Sequence, residues 1–157
     1  MTSLYEHALE QIEAGKHAEA ESSLKLHLQA NPGDAQAHNK LGVVYAKENR
    51  FQEAERCFED ALRCDSGLPH AYNNLGNLAR QAGDVDKARE YYEKAASLDP
   101  DYSVPHHNLA VVYKQLNRYS DFIREMKLAK RLDNKHKLGA KKSWRQVFAD
   151  IWPKSQQ

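Results

Sequence analysis

The sequence predicts an all-α fold, an array of four helical hairpins followed by one further helix, and three observations carry that expectation. The chain repeats itself every 34 residues. Leu75-Gly76, Ala88, Tyr92, Ala95 and Asp99-Pro100 have an earlier copy in Leu41-Gly42, Ala54, Phe58, Ala61 and Asp65-Ser66. One more step back come Ala8, Ala20, Leu24 and Asn31-Pro32, and one step forward Leu109-Ala110, Ala129 and Leu132-Asp133-Asn134. Within each period the apolar residues fall at three- and four-residue steps, the spacing of a helix face. Each period is also interrupted once by a short polar turn. A fixed period in this range means stacked units, each burying its apolar face against the next.

The elements follow in order. The first unit, about 1–34, breaks at Glu13-Ala14-Gly15-Lys16. The second, 35–68, has helices near 35–48 and 51–64, with Leu41, Val44, Tyr45 and then Ala54, Cys57, Phe58, Ala61, Leu62 as apolar stripes. Lys47-Glu48-Asn49-Arg50 separates them. The third, 69–102, turns at Gln81-Ala82-Gly83-Asp84, and the fourth occupies 103–136. Gly15, Asn49 and Gly83 share one place, where a helix closes on a left-handed residue that Gly or Asn tolerates best. Pro69 and Pro105 suit a first helical turn, which lacks partners for its N–H groups anyway. Gly inside a helix costs up to about 1 kcal/mol, so Gly42 and Gly76, like Ala8 and Ala110, are expected where paired helices approach closely. Residues 137–157 are not a fifth unit. Ala140, Trp144, Val147, Phe148 and Ile151 follow a helical stripe closed by Pro153, which reads as a capping helix near 140–151.

Composition narrows the function. A formal net charge of +1 gives no global attraction to nucleic acid or membranes. No segment approaches the roughly 20 apolar residues of a membrane span, and the N-terminus lacks a secretory pattern, so a cytoplasmic location is expected. Cys57 and Cys64 lie about 10 Å apart along one helix, too far for a disulfide, and read as small packing residues. The histidines give no metal set: His38 and His106 hold the large-residue position at a hairpin's start, and adjacent His106 and His107 diverge around a helix. No phosphate-binding loop or nucleophile–base arrangement is present. Neither an enzyme nor a cofactor or metal is expected.

The third unit, with Tyr72, Leu75-Gly76, Ala88, Tyr92, Ala95 and Pro100, resembles the tetratricopeptide repeat. The second matches with Leu41-Gly42, Tyr45, Ala54, Phe58 and Ala61, and has Ser66 for Pro. The first has Ala8 for Gly, and the fourth puts Phe122 where the pattern has Ala, which predicts a hairpin whose two helices are splayed or wedged. The resemblance covers about 1–136 and implies a right-handed α-solenoid with a protein-binding, non-enzymatic scaffold or co-chaperone-like role. It implies that the first helix of each hairpin lines a concave groove.

By position, that groove contains Asn39, Lys40, Lys47, His70, Asn73, Asn74, Asn77, Arg80, His107, Asn108 and Lys114, joined by Lys142 from the tail. Glu53, Glu55, Glu59, Asp60, Asp86, Glu90 and Glu93 fall on the other helices, so the groove is basic in a nearly neutral chain. A basic concavity favours acidic ligands, and amides carry both donor and acceptor for an extended peptide's backbone. Relatives that hold a C-terminal carboxylate use Lys, Asn, Asn, Lys and Arg. Asn77 and Asn108 match the two amides and Lys142 a cation, while Asn73, Val104 and Leu138 depart. The expected partner is an acidic or C-terminal peptide segment. A second expectation is self-assembly through the face of Trp144, Phe148 and Trp152 or through the convex side. A third, RNA in the basic groove, is disfavoured by the scarcity of aromatic residues for base stacking.

Overall fold

The computed structural model describes residues 3–136, which form eight helices. They are α1 (Leu4–Glu13), α2 (His17–Ala30), α3 (Ala35–Lys47), α4 (Phe51–Cys64), α5 (Pro69–Gln81), α6 (Val85–Leu98), α7 (Ser103–Gln115) and α8 (Tyr119–His136). Consecutive helices pair as four hairpins, and the second helix of each packs on the first helix of the next. The expected helix at 140–151 lies outside the described residues.

All four hairpin turns are built alike. Gly15 (φ 73°), Asn49 (φ 61°), Gly83 (φ 85°) and Asn117 (φ 57°) are left-handed. The next N–H then reaches back to the carbonyl five residues earlier: Lys16 to Gln11 (2.8 Å), Arg50 to Tyr45 (2.9 Å), Asp84 to Ala79 (2.9 Å), Arg118 to Tyr113 (2.8 Å). This closure satisfies helix carbonyls that would otherwise lack donors. Helix starts are marked as firmly. Ser3 and Glu6 form a reciprocal capping box on α1, while the Asp34 and Asp84 carboxylates cap α3 and α6.

Inside a hairpin the helices meet over a residue with no side chain. Gly42 lies under the Phe58 ring and Gly76 under the Tyr92 ring, and a Cβ at either would sit 2.5 Å from ring carbon. Phe58 and Tyr92 are among the largest fully buried side chains. In the outer hairpins the repeat-equivalent positions hold Ala8 with Leu24 and Ala110 with Met126, so a methyl replaces the bare backbone where the second helix offers no aromatic ring. Phe122 is half-buried against the cluster that holds Tyr92, Leu109, Val112 and Tyr113. α7 and α8 pack on each other about as extensively as the helices of the second and third hairpins.

Between hairpins, an aromatic plug recurs. Tyr45 is buried with its hydroxyl donating to Glu21 of α2 (3.1 Å), and Arg50 stacks on its ring (4.2 Å) while donating to Glu21 (2.8 Å) and Glu53 (2.7 Å). Two repeats on, Tyr113 donates to Glu93 of α6 (2.8 Å), and Arg118 stacks on its ring (4.8 Å) while donating to Asp121 (2.7 Å). Each plug joins a buried ring to a charge-assisted network.

Gly76→Ala is expected to destabilise the array by about 1–3 kcal/mol through overpacking. Adding Tyr92→Leu, the pairing that the first hairpin uses, recovers part of that loss. A double-mutant cycle in denaturant measures the coupling.

Candidate functional site

The fifth and sixth residues of successive first helices are Asn39-Lys40, Asn73-Asn74 and His107-Asn108. Their amides join across the repeats. Asn74 Nδ2 donates to Asn39 Oδ1 (2.9 Å), and Asn108 Nδ2 donates to Asn73 Oδ1 (2.9 Å). Each bond spans one repeat plus one residue, so it links α3 to α5 and α5 to α7. Asn77 Oδ1 accepts from the Tyr92 hydroxyl (2.8 Å) and, at longer range, from Asn108 Nδ2 (3.4 Å). Asn39, Asn73 and Asn108 are 4%, 3% and 9% exposed, so these bonds satisfy amides that water does not reach freely.

The amide residues therefore have a structural role alongside any contact with a ligand. An amide carries two donor hydrogens and two acceptor lone pairs. The inter-repeat bond uses one hydrogen of Asn74, leaving its oxygen and second N–H available at a half-buried position.

The cations are arranged around this ladder. Arg80, half-buried on α5, places its guanidinium beside the Tyr92 hydroxyl, and its Nε is buried with no hydrogen-bond partner among the described residues. Lys40 is half-buried on α3, while Lys47, His70 and Lys114 are exposed. Partial burial, and then the nearby Lys40 charge, hold His70 below its ordinary imidazole value. His107 is buried and turned to α8, where Nε2 meets Asp133 (2.9 Å). Lys142 lies outside the described residues.

His106 also faces α8, Nδ1 meeting Glu125 (2.8 Å), although the two carboxylates are eight residues apart on that helix. Burial pushes the Glu125 carboxyl up, but hydrogen bonds from His106 and Arg124 outweigh it and hold the group below its ordinary value. The sequence reading missed Glu125 and Asp133 as partners, because a carboxylate on an apolar stripe reads as solvated until the facing histidine is placed. Among the described residues no three His, Cys, Asp or Glu side chains group to hold a metal ion. Burial, with Asp60 and Glu53 nearby, pushes the Cys57 thiol up to about 11, so it stays protonated at neutral pH and is a poor nucleophile. Cys64 is exposed.

Tetratricopeptide repeat models match residues 5–69, 69–102 and 91–121. The chain belongs to the tetratricopeptide repeat family. No curated protein matches it in sequence. Among solved structures it is similar to MamA, with 23% identity over 85% of this chain and 78% of that one and a TM-score of 0.74. Pseudomonas aeruginosa PilF is 24% identical over 83% of this chain and 60% of that one, with a TM-score of 0.76. The first repeat domain of Spaghetti (RPAP3), bound to the HSP90 peptide SRMEEVD, is 20% identical over 73% of this chain and 90% of that one, with a TM-score of 0.68. These likenesses establish the fold, an all-α tetratricopeptide solenoid, and a protein-interaction scaffold is what such a fold supports. No described helix is long and apolar enough to cross a membrane.

Two outcomes follow from the ladder and the buried carboxylate. Asn108→Ala leaves the Asn73 oxygen buried without its donor and is expected to cost about 1–3 kcal/mol in urea or guanidinium unfolding. Glu125, with a folded pKa below its unfolded value near 4.3, adds stability that is complete above that value. The contribution disappears as pH falls through the folded pKa. Thermal melts should hold from neutral pH to about 5 and then decline, with the decline shallower in Glu125→Gln.

Proposed function

We propose that this protein is a non-enzymatic, cytoplasmic adaptor that binds an extended acidic or C-terminal peptide segment along the face formed by α3, α5 and α7. The observation that carries the reading is Arg80. A buried guanidinium nitrogen with no acceptor among the described residues is costly, and a carboxylate arriving there would satisfy it with a charge-assisted bond. Arg80 shares the Tyr92 hydroxyl with Asn77, one helical turn away on α5, with Lys40 and Lys47 on the second repeat and Lys114 on the fourth.

The amide ladder supports the same reading. Asn74 retains both an acceptor and a donor for a peptide backbone, which in extended form has its own groups unpaired. The Spaghetti domain is bound to SRMEEVD, a peptide with two Glu and one Asp among its seven residues. A ligand of similar charge suits the basic residues here. In this reading residues 1–136 are one domain of four repeats, about 1–34, 35–68, 69–102 and 103–136. Residues 137–157 close it, with Lys142 adding a cation to the groove.

The test is titration of SRMEEVD and its C-terminally amidated form against the full chain. Arg80→Gln with Asn74→Ala should weaken binding about tenfold or more, the scale of a lost charge-assisted bond. Affinity should also fall as salt rises. Equal affinity in the folded double variant would sink the proposal.

A further inference from the structure

The plug made by Tyr45 with Arg50 and by Tyr113 with Arg118 is missing between the second and third hairpins. There the tyrosine position is Ala79, the arginine position is Asp84, and the acid at Glu53 and Asp121 is replaced by Lys87. The acid supplied by the preceding hairpin remains, since Glu55 is the repeat equivalent of Glu21. The result is a cleft of about 220 Å³ between α4, α5 and α6. Leu75, Leu78, Ala79, Ala82 and Tyr91 give it apolar walls, and Gln52, Glu55, Asp84 and Lys87 stand at its polar edge. The tyrosine ring and arginine of the filled sites are absent, Glu55 and Asp84 leave two acids at the edge, and the one cation there among the described residues, Lys87, lies over the Tyr91 ring (5.8 Å). It lies toward the second helices, away from the Asn-bearing face.

What fills it should therefore be an aromatic ring accompanied by a basic residue. The chain carries such a segment outside the described residues. Residues 137–157 hold five basic residues against one acid, a net charge of +4, while the whole chain carries +1 and the array therefore −3. Both tryptophans of the protein, Trp144 and Trp152, lie there.

Reach decides between them. The cleft is at the hairpin-turn end of the array, whereas α8 ends at the opposite end. Its 18 residues span about 27 Å, and the two helix-to-helix steps from α8 across α7 to α6 add about 20 Å sideways. Trp144, eight residues past His136, reaches about 27 Å only if fully extended, whereas Trp152 has about 50 Å of chain when residues 137–152 run extended in place of the 140–151 helix expected from the sequence. Lys154 follows it by two residues.

We propose that the cleft is a docking site for the C-terminal segment of the same chain, with Trp152 in the place of the absent tyrosine and Lys154 opposite Glu55 and Asp84. Being tethered, the segment meets the cleft at an effective concentration near millimolar, so a weak contact suffices. Docking would cover the only inter-hairpin position among the second to fourth repeats where the plug is lacking.

The experiment uses the full chain carrying Trp144→Phe, in which Trp152 is the sole tryptophan. Its emission is expected to be blue-shifted and shielded from acrylamide. Ala79→Tyr fills the cleft from within, and Glu55→Lys reverses an exposed charge at its edge. Each should red-shift the emission and raise the quenching constant about twofold or more as solvent reaches a formerly buried ring. Circular dichroism confirms the fold, and should Ala79→Tyr fail to fold, Glu55→Lys gives the reading. Emission that already resembles free tryptophan, or that is indifferent to the folded variants, overturns the proposal. A response that depends on protein concentration overturns it too, because the segment would then come from a second copy.

Discussion

The whole array depends on how closely two helices of a hairpin can approach. At Gly42 and Gly76 the approach is set by an aromatic ring lying on bare backbone, a contact that admits no added carbon. That contact fixes the distance between the two helices, and the stack inherits it. Every second helix packs on the first helix of the next hairpin, so an error in one spacing would pass to its neighbour. A solenoid has no distant contacts to correct such an error. In the outer hairpins the repeat-equivalent positions hold Ala8 and Leu24, and Ala110 and Met126, a methyl with a smaller side chain.

Apolar packing alone leaves the rotation between hairpins loosely specified, since small residues slide past one another at little cost. Polar contacts supply direction. The Asn39–Asn74 and Asn73–Asn108 bonds tie successive first helices at one register, and the Tyr45 and Tyr113 plugs tie first helices to preceding second helices. Hydrogen bonds are suited to this because they weaken steeply with misalignment. The asparagine positions, which the family's packing pattern leaves free, thus hold neighbouring repeats together.

Period and punctuation made the fold legible in the sequence. The 34-residue step, the turns at Gly15, Asn49 and Gly83, and the small residues at 42 and 76 each have a local physical cause, and each appears in the structure. Asn117 completes the set of turns without having been singled out, because one Asn among polar neighbours carries a weak signal. The candidate site was legible as a set of positions, and its internal bonding was not. Partners 35 residues apart, such as Asn73 and Asn108, become visible only when two repeats are superposed and offset by one residue. The pairing of His107 with Asp133 was hidden for a similar reason, since helical spacing gives the direction of a side chain and not the group that meets it.

The amide ladder has a mechanical consequence. The hydrogen bonds that set the angle between repeats lie on the same face as the proposed ligand contacts, so pitch and occupancy share one set of atoms. A bound strand that competes for these amides would relax the superhelix, and one that bridges them would stiffen it. The array then acts as a spring whose rest length is written in asparagines, able to report through its own curvature that the face is filled.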